Sequence, residues 1–244
     1  MRNIQIILEY DGSNYHGWQM QKNVITVQQK VEEAINKITK ENNSVNGCSR
    51  TDKGVHAKGQ SANFYTNSKI SLERIPFAIN NFLPKDIRVN KAFERPIEFH
   101  SRYHATGKKY SYHILNNSYG SALEYKRAWH VPQHLNIDEM KKANEYFIGT
   151  HDFSAFRVAG SAVKTSERTI YNSKLIHKDD KIILEIEGNG FLYKMVRTIM
   201  GTLIEVGKGR FHFNDIPKII NSKNRKYAGK TAPAEGLYLE EIYY

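Results

Sequence analysis

The sequence predicts an α+β protein made of two similar lobes. Three observations lead there. Some segments alternate apolar and polar residues, while others repeat apolar residues every three to four positions, the marks of strands and amphipathic helices. Both halves of the 244 residues pass through a shared order of elements. The stretch Asn116-Asn117-Ser118-Tyr119-Gly120-Ser121 is the most linker-like in the chain, and it divides residues 1–117 from residues 118–244.

Residues 3–10 read as a strand, with Ile4, Ile6 and Leu8 alternating against Gln5 and Glu9 and Ile7 breaking the polarity. Asp11-Gly12-Ser13-Asn14 is a turn signal. From Thr26, a candidate N-cap, the period becomes helical through Val27, Val31, Ala34, Ile35 and Ile38, and Asn42-Asn43-Ser44 ends the helix. Gln60–Tyr65 reads as a strand. Ser71 can cap a second helix with Ile75, Ala78, Ile79 and Phe82 on one face, closed before Pro84. Ile87–Phe93 and Lys109–Leu115 read as strands.

The second half restarts with a helix opened by Asn136 or Asp138 and carrying Met140, Ala143, Asn144 and Phe147. Thr169–His177 and Lys181–Glu187 form a hairpin around Asp179-Asp180. A long helix is expected from Leu192 to Val206, with Leu192, Val196, Ile199, Leu203 and Val206 on one stripe. Leu237–Tyr243 alternates like a strand.

Composition narrows the function classes. The hydrophobic fraction of 40% and charged fraction of 25% are those of an ordinary globular protein. The formal net charge of +11 points to a polyanionic partner. Cys48 is the single cysteine, which rules out an intrachain disulfide and a cysteine-based metal site. The N-terminus has no long apolar run, and no stretch approaches the roughly 20 apolar residues that span a bilayer. No membrane association and a cytoplasmic location are therefore expected. There is no Walker-type or Rossmann glycine pattern and no zinc-type Cys/His spacing, so neither a cofactor nor a metal is expected. The ten histidines are scattered.

The densest concentration of reactive residue types is Arg50-Thr51-Asp52-Lys53-Gly54-Val55-His56-Ala57, in a loop between the first helix and a strand. Flanking cations favour the charged form of Asp52, which suits a nucleophile or base that must stay ionised near neutrality. Read alone, the same residues also fit a surface turn with an exposed ion pair of little energetic weight.

Arg-Thr-Asp-x-Gly-Val-His-Ala resembles the active-site signature of the tRNA pseudouridine synthase A family. Further blocks agree in the same order: Tyr10–Gln19, Thr26-Val27-Gln28, Phe99–Ala105 leading into Lys108–Tyr112, Gly149–Phe156, Gly190–Arg197 and Thr231–Leu239. The chain departs from the family pattern at Lys53, at Tyr193-Lys194 and at Ala232-Pro233-Ala234, leaving the aspartate untouched.

The resemblance implies two α+β lobes sharing a central antiparallel sheet with helices on one side, and an RNA cleft between the lobes. It implies that Asp52 is the catalytic aspartate. Tyr110 would stack on the target base, Arg197 would pair with Asp52, and Arg50 would act at the RNA entry. It also implies a homodimer acting on the tRNA anticodon stem-loop at uridines 38 to 40, without metal. His56 is expected to support the Asp52 loop. Two other readings use the same residues: the same isomerisation on a different RNA, or an RNA-binding protein without catalysis.

The chemistry is consistent with these residue types. Uracil leaves C1′, rotates and rejoins through C5, an isomerisation that needs no redox partner or hydrolysis. The base must first leave its stack, at a cost of a few kcal/mol. Stacking on an aromatic side chain returns about 1–3 kcal/mol per base. Tyr110 and Tyr112 share a strand face, so one of the two is expected in the core. Basic residues interleave with aromatics at Arg102-Tyr103-His104, Lys108-Lys109-Tyr110, Tyr125–His130 and Lys223–Tyr227, a pattern suited to phosphate contacts and stacking.

Overall fold

Alternation in the first residues produces β1 (Arg2–Tyr10), with Ile4, Ile6 and Leu8 fully buried. The structure is a computed structural model that describes residues 1–160 and 165–244. Thr26 Oγ1 accepts from Gln29 N at 3.4 Å and caps α1 (Val27–Thr39), which buries Val27, Val31, Ala34 and Ile35. Lys40 enters the left-handed region at φ 61° and stops the helix.

The strands β2 (Asn46–Gly47) and β3 (His56–Thr66) follow. β3 starts at His56 rather than Gln60, because backbone pairing extends it through the polar His56–Lys58 segment, where alternation gives no signal. The helix expected from Ser71 is shorter than its apolar spacing implied. Leu72–Arg74 is one 3-10 turn, and α2 spans only Ile75–Asn80. Ser71 makes no side-chain cap bond, and Phe82 is half-exposed beyond the helix end. β4 (Ile87–Arg95) completes this run.

Further along come β5 (Gly107–Leu115), the short β6 (Trp129–His130) and α3 (Ile137–Glu145), which Asn136 caps by accepting from Glu139 N. Then come β7 (Gly149–Asp152), β8 (Glu167–Lys178) and β9 (Lys181–Gly188). Asp179, at φ 53°, takes the turn of the predicted hairpin. A bulge between Ile170 and Asn172 shifts the phase of β8, which is why Ile170, Ser173 and Leu175 are all buried despite their odd spacing.

α4 (Met195–Gly207) begins after the predicted Leu192, because Lys194 sits at φ 60° and cannot continue a right-handed helix. A single apolar stripe predicts a one-sided helix, yet nearly every α4 residue is buried. The segment 229–232 covers the opposite side: Gly229 N donates to Thr202 Oγ1 at 2.9 Å and Ala232 N to Arg197 O at 3.0 Å. α5 (Ile216–Ser222) and β10 (Leu237–Tyr243) complete the chain.

The backbone divides into two units, Met1–Thr106 with Tyr238–Tyr244, and Gly107–Leu237. Composition placed the division at the linker-like stretch after β5. The units divide before β5, which is tied along its whole length to β9. In the first unit the strands lie in the order β4-β1-β3-β10, antiparallel except for a parallel pairing of Tyr238 and Leu239 with His56 and Ala57. In the second unit β5-β9-β8-β7 is fully antiparallel, with β6 parallel beside β5. Each unit is thus α+β with a mainly antiparallel sheet, the fold class the sequence predicts.

The first unit buries polar residues on the second face of β1. Asn63 Nδ2 donates to Asn3 Oδ1, and Gln5 Nε2 donates to Ser61 Oγ. The Tyr244 hydroxyl lies 2.6 Å from Ser61 Oγ and 2.9 Å from Ser101 O, so the last residue is anchored in this network. Burial pushes the Tyr244 phenol well above its ordinary value.

Candidate active site

Asp52 is positioned by the first unit. It opens a four-residue turn closed by Val55 N donating to Asp52 O at 3.1 Å, and Gly54 holds φ 80° at the third position, as a type II turn requires. Asp52 itself is half-buried and its neighbours Arg50 and Lys53 are exposed.

The end of β1 and the segment after it support this turn from both ends. Tyr10 Oη lies 2.8 Å from Thr51 Oγ1, Trp18 N donates to Thr51 O at 3.2 Å, and Gly54 N donates to Tyr15 O at 3.3 Å. Gly12 packs so closely that an added Cβ would stand 1.9 Å from Val55 O. Trp18 is buried against Gly47, and its own carbonyl accepts from Gln28 N at the start of α1. The motifs Tyr10–Gln19, Thr26–Gln28 and Arg50–Ala57, far apart in sequence, therefore form one assembly. Before the turn, Gln60 fixes Ser49 with a pair of bonds, Ser49 N to Oε1 and Nε2 to Ser49 O.

His56 follows the turn and is buried. Gly12 N donates to its Nδ1 at 3.1 Å, and its ring stacks on Tyr238 at 4.6 Å with 20° between planes. Lys58 Nζ lies 5.3 Å from the Tyr238 ring centre and pairs with Glu240 at 2.9 Å. The expectation that His56 supports the Asp52 loop agrees with this geometry.

The second unit carries the other two named residues. On β5, Tyr110 is half-buried and meets Phe191 edge-on at 5.2 Å. Tyr112, on the same face, is the core residue: it is fully buried, and its hydroxyl donates to Pro233 O at 2.7 Å. Burial drives the Tyr112 phenol well above its ordinary value. Arg197, in the first turns of α4, is half-buried, and its Nε donates to Ala232 O at 2.8 Å. Arg197 and Tyr112 thus hold adjacent carbonyls of one segment. That coupling was invisible in sequence, where residues 112, 197 and 232 are far apart.

The basic-aromatic runs separate into structural and exposed members. Lys109 is engaged with Glu185 at 3.0 Å and Glu187 at 3.6 Å, and the bond to Glu185 raises its pKa. Lys223 pairs with Asp152 at 3.3 Å, and Arg225 bonds Ala228 O and Thr231 Oγ1. Tyr103, Tyr125 and Tyr227 remain exposed. The guanidinium of Arg102 lies 5.9 Å from the Tyr103 ring, and Lys126 Nζ lies 5.5 Å from the Tyr125 ring.

Among the described residues, no group of three or more His, Cys, Asp or Glu is arranged to hold a metal ion. No described helix is long and apolar enough to cross a membrane.

The family model described as tRNA pseudouridine synthase matches residues 6–104 and 143–244. The chain is 54% identical over 244 residues to the tRNA pseudouridine synthase A of Acetivibrio thermocellus, covering all of both chains. It is 53% identical over 245 aligned residues to the tRNA pseudouridine synthase A of Ruminiclostridium cellulolyticum, again covering all of both. The protein of that name from Thermoanaerobacter sp. is 50% identical over 244 residues, with the same full coverage.

Proposed function

This chain belongs to the tRNA pseudouridine synthase family, and on that footing we propose that it isomerises uridine to pseudouridine at positions 38, 39 and 40 of the tRNA anticodon stem-loop. The observation that carries this reading is full-length similarity combined with an intact Arg50–Ala57 block built around the Asp52 turn.

The reaction breaks the N1–C1′ bond and makes a C5–C1′ bond. The proton at C5 is released and N1 gains one, so no atom is added or lost. Asp52 is the catalytic carboxylate, acting at the sugar or at the base as nucleophile or base. Tyr110 offers its ring to the extruded uracil, and Arg197 and Arg50 are the substrate-binding cations. The exposed tyrosines beside Arg102 and Lys126 supply stacking and phosphate contacts further along the RNA. The enzyme works as a homodimer in the cytoplasm.

The deciding assay is release of tritium from C5 of uracil-labelled tRNA. Wild-type protein is expected to release it from the anticodon arm, and Asp52→Asn is expected to release none above background. Full activity in Asp52→Asn removes Asp52 from its role. Release only from uridines outside positions 38 to 40 replaces the substrate assignment with another RNA site.

A further inference from the structure

We infer that His56 is a positioning residue for Asp52, acting through a single acceptor atom, Nδ1, that fixes the far end of the Asp52 turn to Gly12. The inference rests on the reading of Asp52 as the catalytic carboxylate.

The turn from Asp52 to Val55 is short, so Asp52 moves whenever either end moves. The near end is held by the Tyr10 and Thr51 hydroxyls and by Trp18 N. The far end passes straight into β3 at His56, one residue beyond Val55. There the contact between the Val55 carbonyl and Gly12 is close; Gly54 N donates to Tyr15 O within the turn, and Gly12 N to His56 Nδ1 at 3.1 Å ties the start of β3 to the same segment. Gly12 N is buried, and a buried backbone donor needs its acceptor.

Two groups reach Nδ1. Nδ1 also lies 3.2 Å from Asp11 Oδ1, an oxygen that already accepts from Ser13 N at 2.9 Å. The Gly12 N–H points at Nδ1 within hydrogen-bonding distance, and that bond uses the nitrogen as its acceptor. Stacking on Tyr238 keeps the ring plane fixed, so the acceptor stays aimed at Gly12. Tyr238 stands opposite His56 in the parallel pairing of β10 with β3. Catalytic groups lose rate when misplaced by about 1 Å, which is the error such a tether prevents.

The inference separates the position of the acceptor from mere occupancy of the site. His56→Asn keeps an amide oxygen near the place of Nδ1. His56→Gln carries its oxygen further out, near the place of Nε2. His56→Phe keeps the stack and removes the acceptor. Turnover of tRNA by each variant is measured under single-turnover and steady-state conditions, with thermal melts to correct for folded fraction. His56→Asn is expected within roughly threefold of wild-type kcat, and His56→Gln and His56→Phe at least roughly tenfold lower, all with KM within about twofold.

If His56→Asn and His56→Gln have the same kcat per folded enzyme, the inference is overturned, whether or not His56→Phe folds. Loss that appears only in KM or only in the melts overturns it too. Asp52→Asn runs alongside. If it is inactive while His56→Gln is fully active, the tether fails and the Asp52 reading stands. If it is active, the Asp52 reading itself fails.

Discussion

Tyr110 and Tyr112 point to the same face of β5, yet Tyr112 is sealed with its hydroxyl on Pro233 O at 2.7 Å while Tyr110 stays half-buried beside Phe191. Two like residues two positions apart therefore serve different purposes. Tyr110→Ala is expected to lower kcat/KM at least roughly tenfold, about the loss of one base-stacking contact, with little change in melting temperature. Tyr112→Phe keeps the buried ring but loses one hydrogen bond. It should cost about 1 kcal/mol and about 2–4 °C in melting temperature. Equal activity losses in the two variants would contradict this division.

Gly12 has no room for a side chain, since an added Cβ would stand 1.9 Å from Val55 O. Gly12→Ala forces the backbone at Gly12 and at Val55 apart, at the end of the Asp52 turn. It should destabilise the protein by about 1–3 kcal/mol, as overpacking does, and depress kcat beyond the unfolded fraction. Denaturant unfolding together with tritium release measures both effects.

Asp152 caps the 3-10 turn at Phe153–Phe156 and binds Lys223. Burial opposes its charge, but bonds from Ser154, Ser166 and Lys223 outweigh that and hold its carboxyl far below the usual range. A depressed carboxylate stabilises the fold above its unfolded pKa of roughly 3.9, and that stability fades as pH falls toward the lower folded value. Wild-type urea midpoints should therefore drop between about pH 5 and pH 2 more steeply than those of Asp152→Asn. Asparagine still caps the turn but cannot titrate. Parallel curves would remove Asp152 from the account.

Binding of tRNA should weaken by at least roughly tenfold between 50 and 200 mM salt, as counterion release predicts for several phosphate contacts. Filter binding across a salt series checks this. Tyr125→Ala should lower affinity without changing the salt slope, because it removes a stacking surface and no charge. A flat salt dependence would argue against a phosphate-tracking surface.

Much of the fold was legible because burial in α1 and β9 follows simple periods. What escaped was set by partners distant in sequence. The start of β3 at His56 depends on pairing to β1 and β10, and polar residues in it carry no alternation. α4 looks one-sided until the segment 229–232 covers its other face. The bulge in β8 breaks the count of two that a strand pattern relies on. Within the candidate site, Asp52 stood out because Gly54 and its charged neighbours are local. The Tyr10–Thr51 and Arg197–Ala232 bonds have no local signature. Spacing could place one of Tyr110 and Tyr112 in the core but could not say which; the Pro233 carbonyl decides it.

The return of Tyr238–Tyr244 to the first unit sets an order of events during protein synthesis. Domains usually fold in turn as the chain leaves the ribosome. Here β1, α1 and β3 emerge early, but the ring that stacks on His56 and the Tyr244 hydroxyl anchored at Ser61 are made only after the whole of Gly107–Leu237. A nascent chain that has not passed Leu237 therefore carries the Asp52 loop without the Tyr238 stack on His56. The support of that loop is completed only after the second unit has been translated, which couples a braced loop in one unit to synthesis of the other.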